Sequence, residues 1–88
     1  MHIYIEGLPF DISEAGLQRL FEQFGKVQFV SVLKERLTRR SKGIGYVEMP
    51  DEDQAAKAIA ALNGKLMNGK KLRVKVSPRP SPVAGDKG

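Results

Sequence analysis

Residues 42–49 read KGIGYVEM, and the alternation along this stretch decides the fold. In an extended chain successive side chains point to opposite faces, so Lys42, Ile44, Tyr46 and Glu48 share one face while Gly43, Gly45, Val47 and Met49 share the other. The second face is half empty and half apolar. Such a surface suits helices packed closely over glycines. Pro50 ends the stretch.

The same design recurs at the start of the chain, where Ile3 and Ile5 point one way and His2, Tyr4 and Glu6 the other. Gly7, Leu8 and Pro9 close that strand. Asp11 to Gly25 predicts a helix, because Leu17, Leu20, Phe21 and Phe24 form one apolar stripe. Ser13 is placed to cap it, Ile12 to staple onto Leu17, and Gly25 to stop it in a left-handed conformation. Val27 to Leu33 predicts a strand with Val30 and Val32 inward and Phe29, Ser31 and Leu33 outward. The basic run KERLTRRS, residues 34–41, reads as a solvated loop joining it to residues 42–49.

Beyond Pro50, Asp51 with Gln54 three residues on predicts a capped helix with Ala55, Ala58, Ile59 and Leu62 as its inner stripe. Asn63 and Gly64 end it. Residues 66–69 contain an Asn-Gly turn signal, and Lys70 to Ser77 predicts the last strand, with Leu72, Val74 and Val76 alternating against Lys71, Arg73 and Lys75. From Pro78 the chain reads PRPSPVAGDKG, without periodicity, so residues 1–77 are expected to form the domain and 78–88 a flexible tail.

The order β-α-β-β-α-β defines an α+β, ferredoxin-like split βαβ fold: a four-stranded antiparallel sheet with two helices on one face. Its other face is left open, and both tyrosines lie on it.

Composition narrows the chemistry. The 88 residues, 41% hydrophobic and 28% charged, make one small domain. A chain of this size buries roughly 64% of its unfolded surface, too thin a core to enclose a substrate cavity. With no cysteine and His2 as the single histidine, thiolate catalysis, cysteine-bearing metal sites and a Ser-His-acid arrangement lack their parts. No metal or other cofactor is expected. The start MHIYIEGLP has neither a basic flank nor a long apolar run, so a soluble, unexported protein with no membrane partner is expected.

The formal charge of +5 is distributed in blocks. Residues 1–25 and 48–62, which hold the helices, each carry −3; residues 26–47 carry +5 and residues 63–88 carry +6. Basic side chains therefore gather near the open face, where Lys42, Arg73 and Lys75 project from strands, with Arg39 and Arg40 in the loop beside it. Exposed rings on a sheet can be ordinary surface. Rings ringed by cations, however, suit a polyanion whose unpaired bases stack on them.

At this point the chain resembles the RNA recognition motif family over about residues 2–77. IYIEGL at residues 3–8 is similar to the family's second ribonucleoprotein motif, and KGIGYVEM at residues 42–49 to its first. The resemblance implies that Tyr4 and Tyr46 each stack on a base and that Lys42 contacts the phosphate backbone. It depart from the family pattern at three places. Ile44 stands where an aromatic is usual, which implies binding about tenfold weaker if the lost ring is worth about 1.4 kcal/mol. Gly7 replaces a common asparagine and Met49 a terminal aromatic; both are expected to be structural. The loop TRRSKG and the short tail resemble the small single-domain members of bacteria, including cyanobacteria.

The function expected is therefore single-stranded RNA binding by a monomer, without catalysis, in post-transcriptional regulation; single-stranded DNA is left open as a ligand. Tyr4 and Tyr46 supply stacking. Apolar or edge contacts are assigned to His2, Glu6, Phe29, Ser31, Leu33, Ile44, Glu48 and Ser77, and backbone contacts to Lys42, Arg73, Lys75, Arg40 and Arg39. The cytoplasm is expected if the source is bacterial, the nucleus or cytoplasm if eukaryotic. The alternative is a protein-interaction module of the same fold with little nucleic-acid binding, disfavoured by the two retained tyrosines. An acylphosphatase-like enzyme needs an arginine in the loop after the first strand, where Gly7, Leu8, Pro9 and Phe10 offer none.

Overall fold

A computed structural model describes residues 1–38 and 41–77, the side chain of Ser41 excepted. Its elements are β1 (His2–Glu6), α1 (Glu14–Glu22), β2 (Phe29–Lys34), β3 (Ser41–Glu48), α2 (Glu52–Leu62), β4 (Leu66–Met67), β5 (Lys70–Lys71) and β6 (Arg73–Val76). Four of the strands form one antiparallel sheet in the order β2-β3-β1-β6. The two helices lie on one face of it, as the alternation predicts. The expected tail, residues 78–88, lies outside the described residues.

Both helices begin where their caps are placed. The Ser13 hydroxyl accepts from the Gly16 amide at 3.0 Å, and the Asp51 carboxylate from the Gln54 amide at 2.9 Å, each satisfying a donor that the first turn leaves free. Helix α1 ends earlier than its stripe suggests, at Glu22 with Gln23 as cap. Gly25 is not the cap; a Cβ there would collide with the Gln54 side chain, so its role is close packing between the helix ends.

The core lies between sheet and helices. Ile3, Ile5, Val32, Val47, Met49, Leu72 and Val74 meet Leu17, Phe21, Ala55, Ala58 and Leu62, all buried. Met49 is fully buried, so the departure from an aromatic at that place fills core volume with a side chain that adapts to irregular gaps. Gly45 admits α1 to the sheet: a Cβ would sit 2.8 Å from Leu17 Cδ2 and 3.0 Å from Leu8 Cδ1. Gly7 is equally constrained, with φ +82 and the Lys71 carbonyl oxygen 2.5 Å from where a Cβ would be. Its replacement of asparagine is thus explained by backbone packing.

The last predicted strand is divided in two. Residues Lys70–Lys71 pair with Leu66–Met67 in a separate ribbon closed by Asn68 (φ 50) and Gly69 (φ 81), and only Arg73–Val76 joins the main sheet. Two consecutive positive φ values are what a type I′ two-residue hairpin turn demands, and Asn-Gly supplies them. The alternation runs unbroken across Leu72, so it gives no sign of the change of sheet. Val76 also differs from expectation: as the final residue of an edge strand it is 53% exposed rather than inward and covered.

Candidate functional site

The open face is laid out by strand register. Tyr4 pairs with Tyr46 and with Lys75, and Tyr46 with Ser31, giving a central row Ser31, Tyr46, Tyr4, Lys75 across four strands. On one side of it lies the row Phe29, Glu48, His2; on the other Ile44, Glu6 and Arg73. Ten of the residues singled out from sequence are thereby brought onto one surface.

At its centre the Tyr4 and Tyr46 ring centroids are 5.4 Å apart, with planes tilted by 58°. The Lys75 ammonium stands 5.5 Å from the Tyr4 centroid, within range of a cation–π attraction. The Tyr4 hydroxyl donates to Glu6 Oε2 at 2.8 Å. That bond is the main cause that pushes the Tyr4 phenol up to about 12, aided by burial and by the Glu6 charge, with Arg73 opposing. Arg73 Nε lies 3.8 Å from Glu6 Oε1, and both side chains are well exposed, so this is a loose surface pair of small energetic value. Across the face, His2 Nε2 is 3.9 Å from Glu48 Oε2.

The remaining predicted residues sit at or beyond the margin. Ser31 is on the open face but only 6% exposed, a small side chain among larger neighbours, and it offers little to a ligand. Leu33 falls at an irregularity between Val32 and Lys34, and beside it the Val32 amide donates to the Glu14 carboxylate at 3.2 Å. Ser77 follows β6 and donates its amide to the His2 carbonyl at 2.8 Å. Lys42 is exposed at the far end of β3, four residues and about 13 Å along the strand from Tyr46. Arg39 and Arg40 lie outside the described residues.

Two features of the surface go beyond the sequence expectations. The Tyr4–Glu6 bond is permitted by their both facing outward two residues apart, a placement that Tyr46 and Glu48 share without forming such a bond among the described residues. Leu37, beside Arg36 in the loop read as polar, is 95% exposed; a lone apolar residue in a basic run was the signal. Among the described residues no cluster of His, Cys, Asp or Glu could hold a metal, and no helix is long and apolar enough to cross a membrane.

Comparison with known proteins supplies the family. The RNA recognition motif profile matches residues 3–73, and the chain belongs to that family. It is 41% identical over 75 residues to RNA-binding protein CP31B, chloroplastic, of Arabidopsis thaliana, covering 85% of this chain and 26% of that protein. Among solved structures it is similar to RNA Binding Protein PG1 (40% identity, TM-score 0.84, 92% of this chain and 99% of that one). It is also similar to the Rna15 RRM with bound RNA (GU) (27% identity, TM-score 0.84, 94% and 90%). The chain spans about a quarter to a third of the length of the curated relatives it matches.

These relatives correct the expected compartment. Plant relatives from three species are chloroplastic by name, so the cytoplasmic or nuclear expectation does not stand. The physical reason is that rings and cations arranged for a polyanion serve in any compartment, and nothing in such a surface encodes an address.

Proposed function

We propose that this chain binds single-stranded RNA on its open sheet face, with bases stacked on Tyr4 and Tyr46 and phosphates held by Arg73, Lys75, Lys42, Arg39 and Arg40. The observation that carries the reading is the central row, in which two rings 5.4 Å apart on an uncovered surface are followed by a lysine at 5.5 Å. Stacking is worth about 1–3 kcal/mol per base and tolerates any sequence, while the cations supply a salt-dependent attraction. His2, Phe29, Ile44 and Glu48 then border the stacked bases.

The binding unit ends near residue 77 and acts as a monomer in post-transcriptional regulation. The matched plant proteins, of which this chain covers a minor part, lend no support to the narrower likeness to single-domain bacterial members. Family membership, the ring pair and the likeness to the Rna15 RRM with bound RNA (GU) support the wider reading.

The test is a nuclear magnetic resonance titration of the labelled chain with short unpaired RNA and with DNA of the same sequence. Amide shifts concentrated on β1, β3 and β6 are expected. Shifts confined to α1 and α2 would instead favour a protein-interaction role. A response to RNA that exceeds that to DNA shows that the 2′-hydroxyl is read.

A further inference from the structure

The two tyrosines occupy the same local sequence. Tyr4 is followed two places on by Glu6 in IYIE (3–6), and Tyr46 by Glu48 in GYVE (45–48). Because Tyr4 and Tyr46 pair in antiparallel register, the two Tyr-x-Glu units are related by a local two-fold. Glu6 lies beyond the ring pair at one end, opposite Ile44, and Glu48 at the other, opposite His2.

Their chemical states differ. Glu6 is occupied, its Oε2 accepting from the Tyr4 hydroxyl at 2.8 Å and its Oε1 facing Arg73 Nε at 3.8 Å. Glu48 has no hydrogen-bond donor among the described residues; His2 Nε2, at 3.9 Å, is beyond hydrogen-bond reach. Its side chain is 26% exposed, on the uncovered face, beside a ring. An ionised carboxylate is an acceptor only, with about four lone-pair sites, and these are open.

We propose that Glu48 is the specificity-determining residue of this face, accepting the N1–H and N2–H donors of a guanine stacked on Tyr46, while Tyr4 stacks its base without selecting it. The inference rests on the RNA-binding reading above. Side chains two apart on a strand stand about 7 Å from each other. That is close to the span from the middle of a stacked base to an acceptor just past its edge. Guanine alone presents two adjacent N–H donors on its pairing edge. Uracil has one donor between two carbonyl oxygens, and adenine and cytosine each set an amino donor beside a ring-nitrogen acceptor, so a carboxylate facing any of them meets lone pairs. The negative charge also turns phosphate away from this spot, leaving a base edge as its partner. At Tyr4 the equivalent carboxylate has one oxygen, Oε2, taken by the Tyr4 hydroxyl, so it cannot offer two free acceptors to a base edge, which leaves stacking alone.

The experiment is a fluorescence anisotropy titration of the full chain, at one fixed salt concentration. The probes are labelled oligouridylates carrying at one internal position guanosine, inosine, adenosine or no replacement. Guanosine is expected to bind roughly tenfold tighter than uridine, in the range of a bidentate base contact, with inosine, which lacks the N2 amine, losing most of that gain. Glu48→Gln is expected to erase the preference while still binding oligouridylate, with an unchanged circular dichroism spectrum. Glu6→Gln, which removes a negative charge beside Arg73, is expected to raise affinity for all four probes and keep their ratios. Equal binding of guanosine, inosine and uridine probes by the parent chain, or a guanosine preference that survives Glu48→Gln, overturns the proposal. Binding of none of the probes overturns the RNA-binding reading and this inference with it.

Discussion

On β1 the hydroxyl of Tyr4 is tied to Glu6 and its ring lies near the Lys75 ammonium; on β3, among the described residues, Tyr46 has neither contact, though it too is followed by a glutamate. The difference comes from the neighbouring strands. Strand β1 lies beside β6, which presents Arg73 and Lys75, while β3 lies beside β2, which presents Phe29 and Ser31. A repeated local pattern therefore yields one tethered, cation-flanked ring and one ring bordered by neutral side chains and an open carboxylate. On the proposed reading, the first half of the face holds a strand and the second reads it.

The comparison can be broken most directly at the rings. Tyr46→Ala and Tyr4→Ala should each cost about 1–3 kcal/mol in binding unpaired RNA, measured by anisotropy titration. Only Tyr46→Ala should also abolish base preference. Equal effects on preference would show that the halves are not distinct. Next, Ile44→Phe restores a ring beside Glu6 and should tighten binding roughly tenfold; no gain would mean that this corner lies off the strand's path.

A smaller effect separates the cationic side from the neutral one. Arg73→Gln and Lys75→Gln should each reduce the slope of log affinity against log salt by about 0.7, the value for one phosphate contact on a single strand, while Ser31→Ala leaves the slope unchanged. The smallest effect is spectroscopic. In a Tyr46→Phe background, ultraviolet titration should place the Tyr4 phenol above its ordinary 10.0, and Glu6→Gln should return it toward 10.0. A phenol raised in the folded state favours folding fully below pH 10.0, and that contribution is lost as the pH rises through about 12. An unshifted Tyr4 in the parent chain would remove the tether from the account.

Much of this surface was legible in the chain because a strand's period of two is strict. Once Val47 and Ile5 were assigned inward, Tyr46 and Tyr4 had to face outward, and the caps Ser13 and Asp51 fixed where the helices begin. The turn at Asn68 and Gly69 was equally plain. What escaped depends on neighbours distant in sequence. The change of sheet at Leu72 leaves alternation intact, so periodicity cannot register it. The exposure of Val76 and the near burial of Ser31 are set by what lies beside them, and the different fates of Glu6 and Glu48 by strand order. The cellular compartment is legible in none of these.

The central claim is that the paired tyrosines bind unpaired RNA by stacking. Its most direct test is a titration of the Tyr4→Ala/Tyr46→Ala double variant against short single-stranded RNA at fixed salt, beside the parent chain, with folding of both confirmed by circular dichroism. The account predicts a folded variant whose affinity is lower by about 2–6 kcal/mol, the sum of two stacking contributions. A folded double variant that binds as tightly as the parent would contradict it.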